Sequence, residues 1–316
     1  MRSRIMPKGE KPTENEHFIP RMYLKCFSEI KKSGKALIWQ FNLKTMRQTP
    51  VQVDVQDICF EKHLYEIKGR NGSFIAQNTI EKTFGKIEAN ANKVIQSIKA
   101  KSEDKNCIYC PHVLSENDKS YLIIFITSLL FRDPVTIESG IGYLQKSNPD
   151  MDTRAARNFT LLNLLPLGLD SEWDGNTIIR TALGDLMGMA FQIGVTDEDT
   201  ISTSDRPVVI WPPKEDQPYN RPRAVTFPLT SKLLLYLFPE EDVDPIARNC
   251  FITLNKDQIN DFYWNSSVYA RDWVYSRNPL TEEQIRIVSE ARKGLNTGKR
   301  SGGSTAKRIT TGSSRT

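Results

Sequence analysis

The sequence predicts an α+β fold in which small antiparallel sheet elements at both ends flank a mainly helical middle. Two patterns carry that prediction. Aromatic and β-branched runs cluster at 36–67 and again at 200–253, and between them apolar residues recur at helical spacing. No internal repeat interrupts this order.

The first element is a helix opening at Pro20, because proline suits a first turn where its missing N–H would be unpaired. Ile19, Tyr23 and Phe27 recur every fourth residue, and Ser33-Gly34 supplies a stop. Ala36–Asn42 reads as a strand, Val51–Val55 as a strictly alternating one, and Lys62–Ile67 as a third, with His63 an ordinary strand residue. Asn71-Gly72 supplies a turn for that sheet. From Gln77 to about Lys101 the period becomes helical through Ile80, Phe84, Ile87, Ala91, Val94, Ile95 and Ile98. Ser115 to Asp118 reads as a cap for an apolar helix that ends near Arg132, where Asp133-Pro134 breaks it. Further helices are expected at 135–146, 152–164 and 176–193. Strand character returns from Thr200 to Trp211 and at Cys250–Thr253. Val225–Leu229 and Leu233–Phe238 are short apolar runs that fit either type. A polar, proline-containing loop is expected at 214–223. Asn255 caps an aromatic-rich helix from Lys256 to about Tyr275, and a last helix follows near 281–293.

This gives a flexible arm at 1–16, an α+β domain at 17–293 with a point near 195 where two subdomains would meet, and a disordered basic tail at 294–316. The tail decides how the charge is read. Lys299, Arg300, Lys307, Arg308 and Arg315 lie there without an acidic residue. Removing those five from the 43 basic residues leaves 38, equal to the 38 acidic ones. Bulk charge therefore gives the body no electrostatic case for nucleic acid, and only the tail offers one. No run of eighteen apolar residues suggests a membrane span, and the polar N-terminus lacks the apolar core of a signal peptide. Five cysteines form no regular framework, which favours a reducing cytoplasm.

The motifs follow one another in a definite order. His17-Phe18-Ile19-Pro20 leads to Tyr23, Leu24 and Phe27; then come Tyr65, the paired glutamates Glu81 and Glu88, Arg132-Asp133-Pro134, Ser204-Asp205-Arg206-Pro207, Pro228-Leu229, and a late helix with Asn265 and Ala270. In this order the chain resembles a domain family of unknown function, numbered 4238, over roughly residues 15–278. It departs from the family's pattern at Ser128, where that pattern has Gln one turn before its Arg. The resemblance implies an architecture and brings no established activity.

The residue types nevertheless suggest chemistry. His17, Glu81 and Asp205 form the candidate catalytic set, with Arg132, Ser204 and Asn265 as candidate substrate-binding residues. Imidazole and carboxylates can hold a divalent metal or move protons on a phosphodiester while a guanidinium holds the anion. The expectation is a hydrolase or nuclease-like effector; the alternatives are a non-catalytic nucleotide- or peptide-binding module and an interaction protein. In the last, His17 and Asp205 merely cap N–H groups and Glu81 pairs with Arg132 inside the fold. Cys107-x-x-Cys110-x-His112 has half the spacing of a zinc site, and no second pair completes it. No P-loop, G-x-S-x-G elbow or H-E-x-x-H is present, which disfavours the common nucleotide hydrolases, serine hydrolases and zincins.

Overall fold

Buried apolar side chains from both strands and helices, from Phe18 to Val288, join in one continuous core. The computed structural model describes residues 11–75, 77–104, 112–164, 177–211 and 222–296. Strand β1 (Asn15–His17) is followed by the short helix α1 (Arg21–Leu24) and by β2 (Glu29–Ile30), β3 (Ala36–Asn42), β4 (Arg47–Gln48), β5 (Val53–Asp54) and β6 (Phe60–Lys62). The helices α2 (Thr79–Ser102), α3 (Glu116–Phe131), α4 (Pro134–Ser147), α5 (Thr153–Leu162) and α6 (Thr177–Met187) make the middle. Then come β7 (Met189–Val195), β8 (Thr203–Ser204), β9 (Val209–Trp211), β10 (Ala224–Thr230), β11 (Leu233–Pro239) and β12 (Cys250–Thr253). Helix α7 (Lys256–Tyr269), strand β13 (Trp273–Ser276) and helix α8 (Glu282–Asn296) complete the chain. The fold is α+β.

One sheet has the order β12-β7-β11-β10-β9, with β12 parallel to β7 and the rest antiparallel. Its central strands are buried on both faces, so they carry continuous apolar runs rather than alternation. Gly194 sits in β7 under Leu254, whose Cγ would lie 2.6 Å from a Cβ at that position. A second sheet runs β2-β3-β13-β8, with β4 and β5 also paired to β3. It joins sequence near the start to sequence near the end, through Phe41 opposite Val274 and Gln40 opposite Tyr275. Helix α2 packs on α3, α4 on α5, and α7 on α8. No single helix among the described residues is long and apolar enough to cross a membrane.

Tyr23 shows how the N-terminal motif enters the core. Its ring stacks on Phe227 at 5.1 Å and meets Phe27 and Phe125 edge-on. Its hydroxyl donates to the Pro228 carbonyl at 2.8 Å, so the Thr203 hydroxyl, also at 2.8 Å, donates to it. Tyr23→Phe removes both bonds in a fully buried setting, and about 1–3 kcal/mol of stability should be lost in a denaturant titration.

Several expected boundaries move. The arm at 1–16 yields at its inner end: β1 pairs with β6, Glu16 is buried, and the Thr13 N–H donates to Asn78 Oδ1 at 2.7 Å. Residues 1–10 lie outside the described residues. The helix from Pro20 stops after Leu24 and a 3-10 turn, because Ser28 is already extended and Glu29–Ile30 pair with Leu37 and Ala36. Gly34, with φ +82°, turns that hairpin instead of ending a helix. Only Val53–Asp54 of the 51–55 run is strand. The Lys62–Ile67 strand ends at Lys62, since His63 is left-handed at φ 52°. Phe191 belongs to β7 and not to a helix through 193, and Trp273 and Tyr275 belong to β13 and not to the aromatic helix. Helix α8 extends to Asn296; the rest of the basic tail, most of the 214–223 loop, and Cys107 and Cys110 lie outside the described residues.

Candidate functional site

The candidate residues gather around two centres. The first is Arg132, at the C-terminal end of α3. Its side chain is 1% exposed and lies 4.4 Å over the Phe84 ring and 5.9 Å from the Tyr65 ring, which meets Phe84 edge-on. Nη1 donates to Glu88 at 2.8 Å, and Nη2 donates to the main-chain carbonyl of His17. The Tyr65 hydroxyl donates to the Arg132 carbonyl at 3.1 Å. Glu81 and Glu88, two turns apart on α2, both face this guanidinium, but the ion pair is made by Glu88. Glu81 keeps a buried oxygen, and Arg132 a buried Nε, with no hydrogen-bond partner among the described residues.

Two acids that carried no sequence signal complete this centre. Glu16 accepts the Tyr65 N–H at 2.7 Å, and Glu66 accepts the Asn78 N–H at 2.9 Å. Burial, with Glu66 and Glu81 close by, pushes the Glu16 carboxyl up to about 7. Burial likewise raises Glu81 above the ordinary carboxylate range, against the pull of Arg132. The His17 ring tilts against Phe60 at 5.4 Å, and its Nε2 lies 3.3 Å from the Gln56 carbonyl. Burial, then Arg21, then Arg132 push this imidazole down to about 4, so it is neutral at pH 7.

The second centre is Asp205, on the turn after β8. One carboxylate oxygen accepts the Arg271 N–H at 2.8 Å; the other accepts those of Asp272 at 2.8 Å and Trp273 at 3.1 Å. Burial raises its pKa, and these N–H bonds oppose the shift. Ser204 accepts the Arg206 N–H at 3.1 Å, and its strand pairs with β13. Asn265 turns back on its own helix, donating to the Asp261 carbonyl at 2.7 Å. The structure therefore brings His17, Glu81 and Arg132 together and gathers Asp205 and Ser204 elsewhere. The halves touch through Phe18, whose ring lies 5.9 Å from the Arg271 guanidinium. Arg206 adds a further tie, reaching Asp133 at 2.6 Å and so joining two of the sequence motifs.

A cleft of about 640 Å³ opens beside the second centre. Phe18, Phe60, Trp273 and Tyr275 give it aromatic walls. Asp54, Asp57 and Glu61 stand at it with Lys35 and Arg271, and Asp205 forms part of the wall. Arg271 and Trp273 were not expected as site residues; their signal was the β-prone run Trp273-Val274-Tyr275, masked by the aromatic stripe preceding it. Among the described residues no group of three or more His, Cys, Asp or Glu could hold a metal ion.

No curated protein and no solved structure matches the chain. Its sequence does match, over residues 15–279, the family described as a protein of unknown function, DUF4238, and the chain belongs to that family.

Proposed function

We propose that this chain is a binding module whose cleft takes a short peptide segment bearing basic and aromatic side chains. The observation that carries the reading is the lining of the 640 Å³ cleft. That volume lies within the usual range for small-ligand sites, which suits two or three residues. Phe18, Phe60 and Trp273 offer flat apolar contact, while Asp54, Asp57 and Glu61 favour cations. Gln40 and Gln52 supply amides that match a peptide main chain, and Arg271 suits a carbonyl or carboxylate. A polyphosphate would meet four acids, Asp54, Asp57, Glu61 and Asp205, against two bases, Lys35 and Arg271, at the same place. A cytoplasmic setting accompanies this reading, supported by the free thiols of Cys26, Cys59 and Cys250.

A second reading is a phosphodiester hydrolase with His17, Glu81 and Asp205 as acid–base groups and Arg132 as anion holder. What favours it is the approach of His17 and Glu81 to Arg132, with a carboxyl near neutrality at Glu16. What opposes it is engagement: Asp205 already accepts three N–H groups, and Arg132 is closed off inside the fold.

Calorimetric titration with an Arg-Trp-Lys peptide, with AMP, and with bis(p-nitrophenyl) phosphate separates these. Binding of the peptide is expected, weakened about tenfold or more by the double variant Asp57→Lys, Glu61→Lys. Binding of AMP in preference to the peptide would refute the peptide reading. Phosphodiester turnover abolished by His17→Ala would transfer the case to the hydrolase.

A further inference from the structure

The Arg132 neighbourhood contains more acid than its cations neutralise. Glu16, Glu66 and Glu81 each carry a buried oxygen with no hydrogen-bond partner among the described residues. The charges facing them come from every element around. Arg132 of α3 already serves Glu88 and the His17 carbonyl, and Arg157 of α5 donates to the Leu64 carbonyl at 2.6 Å. Arg21 of α1 is exposed, and His63 stands near Glu66. Burying an ionised carboxylate without a partner is costly, whereas its protonated form is tolerated.

The same acids fasten the segment from residue 11 to residue 17. Glu16 holds Tyr65, and Glu66 holds the Asn78 N–H. The Asn78 side chain in turn accepts from Thr13 at 2.7 Å and donates to the Lys11 carbonyl at 3.0 Å. Asn78 is left-handed, at φ 56°, so this junction is conformationally demanding as well as polar.

We propose that the Glu16–Glu66–Glu81 cluster is a proton-operated latch, which keeps segment 11–17 docked while protonated and releases it as the pH rises past neutrality. The sign follows from burial. A carboxyl whose docked pKa exceeds its free value contributes docking that is complete at low pH and declines as pH rises through the docked value, about 7 for Glu16. Release withdraws the His17 carbonyl from Arg132 and loosens Phe18 at the cleft wall. The latch does not depend on what the cleft binds.

Hydrogen–deuterium exchange of the full chain tests it, compared between about pH 6 and about pH 8.5 after correction for chemical exchange rates. Protection of the Phe18 amide, which donates to the Cys59 carbonyl at 2.9 Å, should fall about tenfold beyond any change in β10 and β11. Glu16→Gln, which keeps an acceptor for Tyr65 without the titrating proton, should abolish the fall. Unchanged protection in the natural chain, an equal fall in β10 and β11, or a fall that persists in Glu16→Gln would each overturn the latch. Should that variant fail to fold, Glu66→Gln removes the nearest like charge and should move the midpoint to lower pH; an unmoved midpoint overturns it as well.

Discussion

Arg132→Ala should destabilise the chain by about 3–5 kcal/mol, the scale on which a buried charge pair responds to losing one partner. Several losses coincide at this position. Glu88 and the His17 carbonyl lose their donor, and the Phe84 ring loses the cation above it. Glu81, already held above the ordinary carboxylate range by burial, loses the charge that opposed that shift. Denaturant titration at pH 7 reads the cost. Repeating it at about pH 5 should shrink the difference, because Glu16 is then largely protonated and less charge is stranded. Equal costs at the two pH values would mean that packing, and not charge, explains the residue.

Asp205→Ala should cost about 3 kcal/mol or more by the same measurement, since it deprives three backbone N–H groups of their acceptor. Those groups belong to residues 271–273, where the chain leaves α7 and enters β13. The carboxylate thus sets the angle of that exit and, with it, the placement of Arg271 and Trp273 at the cleft. Asp205→Asn should fall between the two, because an amide offers one acceptor oxygen where the carboxylate offers two. A loss under about 0.5 kcal/mol in the alanine variant would show that the turn holds its shape without the side chain.

What could be read from the sequence was local. The α2 stripe from Ile80 to Ile98 and the Ser115 capping box needed only neighbouring residues, and both elements stand where periodicity put them. Strands β10 and β11 gave no type because both their faces are covered, leaving apolar runs without alternation. The stripe through Phe262 and Trp264 runs on to Tyr275 in sequence, yet two elements share it, divided at residues 270–272, whose N–H groups at 271 and 272 donate to Asp205. Arg132 drew attention as a charge ending an apolar helix, and Glu81 and Glu88 as acids seven apart beside the apolar stripe of α2. Glu16 and Glu66 did not, since nothing around them in sequence announces that both would be buried beside α2 and α3. Their setting is made by segments far away along the chain.

Strand β3, near the beginning of the chain, is hydrogen-bonded to β13, near its end. A ribosome must therefore release most of the polypeptide before this sheet can close. Until then β3 has an open edge, and Tyr23 awaits Thr203 and Pro228. Such distant pairing slows folding and leaves strand edges available for misassociation. Nascent chains truncated before β13 should depend on holding chaperones, and a circular permutant that links the two strands directly should fold faster.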